Sequence, residues 1–417
     1  MFDTIETEVL VRLTAALAAD PACSDDAERV EQIRALEQLT CAAEARQAAL
    51  AVELTESRGT ALELALARRE SHHRGRQHLG LARVASRELP HIWAAWRAGR
   101  VSEWRVTLVA RETGCLSLAD RQRIDAELAA DPGRLEAMGD REVVGFCRSR
   151  AAALDPAAAV ARRRKAESER CVTIRPAPDC MVYLTGLLPV SEGVAAYATL
   201  VRAADSARVA GDPRTRGQVM ADTLVTAVRG ASGPAERQGP AATINVVMTD
   251  RTLFGTADDP AWVDGYGVAD ADLARELAHG DRVWLRRMFA DPEGGELVAM
   301  DSRSRIFPAG LKRLIRFRDQ SCRTPWCDAP VRHTDHLLPR VDHGATSLGN
   351  GQALCEACNQ AKRTTGWIAR PRPGPGHTIE TTTPSGHTYR SRAPAPPGFR
   401  TTTSRAELTF REVALAG

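Results

Sequence analysis

The sequence predicts an α+β protein: a mainly helical N-terminal domain, a mixed α+β middle and a small cysteine-rich module near the C-terminal end. Three observations predict it. Up to about residue 168 the chain is rich in Ala, Leu, Glu and Arg, good helix formers, with apolar residues at helical spacing. After Ser168, β-branched runs alternate with Pro- and Gly-containing turns. Further on, four cysteines fall in two tight pairs, Cys322/Cys327 and Cys355/Cys358.

The elements follow in order. Asp25 followed by Glu28 is a helix start signal, and Val30, Ile33, Leu36, Leu39, Leu50 and Leu54 continue as one apolar stripe. A second helical stretch runs through His91, Trp93, Trp96 and Trp104; a third runs from about Asp120 to Arg150, broken near Asp131-Pro132-Gly133. His72, His73 and His78 read as a solvated helix face, and Arg162 to Lys165 as an exposed basic helix end. Cys171 to Arg175 and Met181 to Thr185 flank Pro176 to Asp179 and predict a hairpin. Helices are expected from Val190 to Ala210 and on to Arg229, a strand over Thr243 to Thr249, and a short helix at Leu273 to Leu277. A second hairpin is expected over Val283 to Phe289 and Glu296 to Met300. A basic amphipathic helix from Pro308 to Asp319 leads into the cysteines. After Trp367 the chain is rich in Pro, Gly and Thr, compatible with a terminal hairpin or a mobile end.

Composition excludes some classes. No run of apolar residues is long enough for a membrane span. The opening Met1 to Glu6 has an early acid and no basic segment before an apolar run, unlike a secretory signal, so a cytoplasmic location is expected. The net charge of +3 is unevenly spread: Asp301 to Arg372 carries 13 Lys and Arg against 6 Asp and Glu, a net +7, leaving −4 elsewhere. A polyanion would be drawn to that segment.

Of the ten cysteines, Cys23, Cys41, Cys115, Cys147, Cys171 and Cys180 are scattered and read as small apolar residues. The two tight pairs, with 27 residues between them, suit a metal better than disulfides. Four thiolates make a closed tetrahedral structural Zn²⁺ site, and a module this small needs such a staple. Asp335-His336 lies between the pairs, and Asn359 directly follows Cys358. A carboxylate is a hard ligand for Mg²⁺, and a neutral imidazole can take a proton from water. Alone, an Asp-His pair is most often a surface pair; its position between the cysteines singles it out. Adjacent strand residues point to opposite faces, so both reach one site only at a bend or bulge.

From Cys322 to Lys362 the chain resembles the HNH endonuclease family, with its ββα-metal fold; the motif letters fall on His336, Asn350 and Asn359. The third letter is Asn and not His, which favours a hard ion, Mg²⁺ or Mn²⁺. The resemblance implies that His336 is the general base, that Asp335 and Asn359 hold the catalytic ion, and that Asn350 fastens a loop. Gly344 fits the family's glycine turn, with His343 where many members have a second glycine. His333 is expected to be structural. Lys362, Arg363, Arg316 and Arg318 are expected to contact phosphates, with Lys312 and Arg313 extending the surface. The implied activity is metal-dependent hydrolysis of DNA leaving 5′-phosphate and 3′-hydroxyl ends; the alternative is a zinc-stapled DNA-binding protein that does not cut.

Upstream, Gly211 to Thr215, Gln218, Ala221-Asp222, Arg275 to Ala278, Trp284, Arg286-Arg287 and Asp291-Pro292 resemble the helical domain of unknown function that precedes HNH modules in many actinobacterial proteins. That likeness spans roughly residues 25 to 305 and implies no catalytic residue. The expected partition is a helical domain over 1–168, an α+β region of the same family over 169–304, the HNH module over 305–372 and a tail over 373–417. DNA is the expected partner, with no membrane; homo-oligomerisation is left open.

Overall fold

A computed structural model describes residues 7–18, 25–230, 244–279, 306–374, 376–398 and 406–409. Its contacts divide the chain into two compact units, Met1–Leu54 with His78–Ala159, and Thr55–Gln77 with Val160–Gly417. These units are not sequential: Thr55–Gln77 groups with the C-terminal part.

The first half of the chain is helical throughout: α1 (Thr7–Ala18), α2 (Asp26–Glu53), α3 (Thr60–Arg68), α4 (His72–Glu88), α5 (Pro90–Arg97), α6 (Glu103–Thr113), α7 (Leu118–Ala129), α8 (Pro132–Ala137), α9 (Asp140–Leu154) and α10 (Pro156–Ser168). Asp25 starts α2 as read from sequence, its side chain accepting from Glu28 N at 2.9 Å. The core of the first unit gathers Leu89, Ile92, Trp96, Val106, Ile124, Leu128 and Val143. Buried Asp125 accepts from the N–H groups of His91 and Ile92 at 2.8 and 2.9 Å and so satisfies free donors at the start of α5. One expectation fails here. Val30, Ile33, Leu36, Leu39, Leu50 and Leu54 are exposed, and α2 buries Cys41, Ala45, Ala48 and Ala51 instead. The small residues let α2 approach its neighbours closely where it is buried.

The second half adds the hairpin β1 (Cys171–Ala177) and β2 (Met181–Leu187), turning through Asp179 and Cys180 at positive φ. Then come α11 (Val190–Val209), α12 (Arg216–Gly230), and a three-stranded sheet of β3 (Val246–Val247), β4 (Ala261–Val263) and β5 (Gly267–Ala269) with α13 (Asp250–Leu253) and α14 (Ala271–Ala278). Of the strand expected over Thr243 to Thr249, the described residues show Val246–Val247 as strand, and Thr249 caps α13, its hydroxyl accepting from Thr252 N. The second expected hairpin lies outside the described residues.

The module follows: α15 (Ala309–Asp319), β6 (His333–His336), β7 (Gly351–Leu354) and α16 (Glu356–Lys362), with β6 and β7 antiparallel. Beyond it, β8 (Ile368–Arg372), β9 (Thr378–Thr382), β10 (Thr388–Ser391) and β11 (Ala406–Thr409) form one antiparallel sheet in the order β11-β10-β9-β8. The expected tail is thus a sheet, and a boundary at residue 372 falls inside its first hairpin. Ala369 and Ile379 on its inner face pack against Leu337, the residue after His336. No helix among the described residues is long and apolar enough to cross a membrane.

Candidate active site

The four sulfurs of Cys322, Cys327, Cys355 and Cys358 are buried and lie within 4.8 Å of one another. Cys327 Sγ is 3.9 Å from Cys355 Sγ and 3.7 Å from Cys358 Sγ. A tetrahedron with metal–sulfur bonds of about 2.3 Å has sulfur–sulfur edges of about 3.8 Å, so the set fits one ion. Ionising four sulfurs this close concentrates negative charge in a buried space that a multivalent cation can offset. Cys355 caps α16, its sulfur accepting from Cys358 N at 3.4 Å, which ties the metal cluster to the start of that helix.

Sequence reasoning missed what surrounds the sulfurs. Leu62 and Leu66 of α3 pack into the same buried cluster, with Leu354, Ala361, Trp367 and Tyr389. Gly59 lies so close to Trp367 that a Cβ would sit 2.3 Å from its indole nitrogen. His72 Nδ1 is 3.9 Å from Cys358 Sγ. Burial holds this imidazole below its ordinary pKa, against the pull of Cys355. His72 and His78 are therefore buried, not on a solvated face; His78 pairs with Glu103 at 2.6 Å.

A second missed feature is a buried ionic knot. Asp319, at the end of α15, meets Arg318 at 2.7 Å and Arg323 at 3.4 Å and accepts from Ala353 N on β7 at 2.8 Å. Burial alone would raise the Asp319 carboxyl; the two guanidiniums outweigh it and hold it below the usual carboxylate range. Arg323 donates onward to His377 O and Ser391 O at 2.9 and 3.0 Å, and His377 Nε2 donates to Gly349 O at 2.8 Å. The knot fastens α15, β7 and the C-terminal sheet together.

This corrects the expectation for Arg318. Its side chain is buried, and it donates to Leu348 O and Gly351 O as well as to Asp319, so it is not offered to phosphates. Arg316 is about half exposed and pairs with Asp264 at 3.1 Å. Lys362 also differs from expectation: its ammonium turns inward, 2.7 Å from Asp335 Oδ2, and donates to His336 O. Arg363 is exposed.

The β6–β7 ladder is unbroken, Asp335 opposite Gln352 and His336 opposite Gly351. The bend or bulge expected to bring Asp335 and His336 to one site is not seen, and consecutive side chains engage different neighbours, though the charges of Asp335 and Lys362 still act on His336. Asp335 meets Lys362 on α16; the His336 ring lies 4.4 Å from that of Phe307, with Nε2 2.9 Å from Thr346 Oγ1. Burial lowers the His336 pKa, with Asp335 raising it and Lys362 and Arg340 lowering it, so the imidazole feels both partners of the ion pair. Asn359 is 4% exposed and its Oδ1 has no hydrogen-bond partner among the described residues. It lies one helical turn before Lys362 on α16, the face that meets β6.

Asn350 bridges the loop between the strands. Its Oδ1 accepts from Leu338 N at 2.9 Å, and its Nδ2 donates to Leu338 O and Ala345 O at 3.0 and 2.8 Å. A Cβ on Gly344 would stand 1.8 Å from Leu338 O, so only glycine fits there. His343 adopts a left-handed φ of 63° and is exposed. His333 is exposed at the start of β6.

This combination, a two-stranded ribbon and a short helix around four buried cysteines, is that of an HNH-type module, and the HNH endonuclease family model matches residues 321–365. The longer upstream segment, residues 21–319, matches the model of the domain of unknown function DUF222, and the chain belongs to that family. It is similar to Uncharacterized protein Rv3776 of Mycobacterium tuberculosis (strain ATCC 25618 / H37Rv), at 29% identity over 91% of this chain and 83% of the relative. It is also similar to Uncharacterized protein Rv2100 of the same strain, at 25% over 90% and 79%. No solved structure matches.

Proposed function

We propose that the chain hydrolyses DNA phosphodiester bonds at the β6–β7–α16 site, with a structural Zn²⁺ on the four cysteines and a catalytic Mg²⁺ or Mn²⁺ at Asp335 and Asn359. The observation that carries the reading is the buried Oδ1 of Asn359, which has no hydrogen-bond partner among the described residues. An oxygen taken from water without a donor is costly, and a hard cation beside it offsets that cost. When bound, the ion supplies charge relief at the scissile phosphate and at the leaving 3′ oxygen.

The chain's own residues supply the rest. His336 is held neutral by burial, as a base must be. Where the Thr346 hydroxyl accepts from Nε2–H, the Nδ1 lone pair is left to take a proton from water. Asn350 holds the intervening loop through its three hydrogen bonds, and exposed Arg363 is the cation offered to the backbone. The products carry 5′-phosphate and 3′-hydroxyl ends.

One observation favours a second reading, a DNA-binding module that does not cut: the Lys362 ammonium engages an oxygen of Asp335, a place suited to a cation. Plasmid nicking with Mg²⁺, Mn²⁺ or EDTA separates the two. His336→Ala is expected to lose about 10²–10⁴-fold in rate, and the wild-type rate should fall with acid only below the ordinary imidazole range, since the neutral form is the active one. A His336→Ala protein that nicks like wild type sinks the mechanism; binding without nicking in every metal establishes the second reading.

A further inference from the structure

The sheet that follows the module has two unlike faces. Strand alternation and the register place Ala369, Ile379, Tyr389 and Ser391 on the inner face, all buried. The outer face carries Arg370 and Arg372 on β8, Thr378 and Glu380 on β9, and Arg390 on β10, with Arg392 just past the end of that strand. Arg370 stands opposite Glu380, and Glu380 stands opposite Arg390. Four guanidiniums therefore share a face with Glu380, and Glu407 of β11 stands opposite Arg390. Glu380 takes Arg372 at 2.6 Å and Arg390 at 3.1 Å, which orients two forks without cancelling the face's charge. Arg372, Arg390 and Arg392, with Gly374 and Thr378, line a pocket of about 340 Å³.

We propose that this outer face is a nucleic-acid phosphate-binding surface, with Arg370, Arg372, Arg390 and Arg392 as its cations. Charge complementarity selects the occupant: planar forks set along adjacent strands suit the regularly spaced phosphodiesters of a duplex. The face is also built into the candidate catalytic module. Arg323 bonds to the backbone of His377 and Ser391, His377 bonds to Gly349, and Ile379 packs on Leu337. A strand gripped here is gripped by the body that presents His336. The inference deepens the nuclease reading and rests on it for the identity of the polyanion.

The test uses the full chain and a short fluorescent duplex without added Mg²⁺, titrated across salt concentrations. Removing three phosphate contacts in Arg370→Gln/Arg372→Gln/Arg392→Gln is expected to flatten the slope of log K against log salt by about three units, roughly one per arginine, and to weaken binding at least tenfold at moderate salt. Glu380→Gln is expected to tighten binding several-fold, an effect that misfolding cannot mimic. Unchanged metal content on the cysteines checks that the module is intact. A triple variant that binds with the wild-type slope overturns the surface, even if His336→Ala abolishes nicking and the nuclease reading stands; an acidic protein segment then becomes the better occupant. A flattened slope in a protein that never nicks keeps the surface and removes the nuclease. A wild-type chain that binds no duplex at any salt overturns both.

Discussion

The helical core around Leu89, Ile92 and Trp96 and the sulfur cluster around Cys322 hold their segments by different physics. The first buries large hydrocarbon side chains drawn from several helices. The second buries Leu62, Leu66, Trp367 and Tyr389, but at its centre are four sulfurs, and beside it an aspartate is locked between two arginines. Burying apolar area stabilises without further conditions. Burying thiolates and ion pairs stabilises only while every charge has its partner. The difference predicts that a metal ion on the sulfurs matters more to the module's fold than to the helical core.

The largest test removes the metal's hold. Cys358→Ser, or a strong chelator on wild type, should release one zinc per chain and unfold the β6–β7–α16 module, because a structural zinc contributes folding energy outright. Zinc released to a colorimetric indicator and proteolysis mapped by mass spectrometry would report it. Cleavage should concentrate after residue 305 and spare the segments around Ile92 and Trp96. Equal loss of both regions would erase the distinction drawn above.

Asp319→Asn sharpens it from the side of charge. Arg318 and Arg323 would keep their burial and lose their shared carboxylate, a change expected to cost about 3–5 kcal/mol. The folded Asp319 value is depressed, so its contribution is full above the unfolded carboxylate value and is lost as pH falls through the folded one. Denaturant melts of wild type and variant should differ by a constant amount near neutrality and converge in acid. A gap that persists below the depressed folded value would place the effect elsewhere than in this charge.

Much of the module was legible because its signals are local. Two cysteine pairs, each closable by a short turn, predict one cluster, and the HNH letters fall on residues the fold draws around one ribbon and helix. What was illegible is long-range. His72 and Cys358 are 286 positions apart, and no spacing rule links them. The α2 stripe showed a period but not which face meets a neighbour; Cys41, Ala45, Ala48 and Ala51 form an equally periodic and smaller face, and that one is buried. Arg318 could have been read better. It follows Leu311 and Ile315 at helical spacing, which puts it on the buried stripe of α15, and its charge diverted the reading to phosphate. The last sheet hid in a Pro-, Gly- and Thr-rich stretch, where inward Ile379 and Tyr389 alternate with small and polar residues.

Within the helical core the corresponding test is a cavity. Ile92→Ala deletes a side chain that is 1% exposed and should cost about 2–5 kcal/mol. Zinc content, and nicking at a temperature where the variant stays folded, should be unchanged. Loss of zinc in this variant would show that the two regions are energetically one, and the conditional character of the module would extend to the whole chain.

The smallest effect comes from His343. Its left-handed φ of 63° is one that glycine adopts freely and a side chain adopts at a cost of about 1 kcal/mol. The conformation is imposed from around it: Asn350 bonds to Leu338 and Ala345 on either side, and Gly344 admits no side chain against Leu338 O. A loop so constrained keeps its shape whichever residue stands at 343, so His343→Gly should relieve the strain and raise the module's melting temperature by a few degrees at most, with zinc bound. The same substitution in a chelated protein should gain nothing in that transition, since an unfolded loop has no strain to lose. A fall in melting temperature with zinc present would mean that the imidazole makes contacts outweighing its backbone cost.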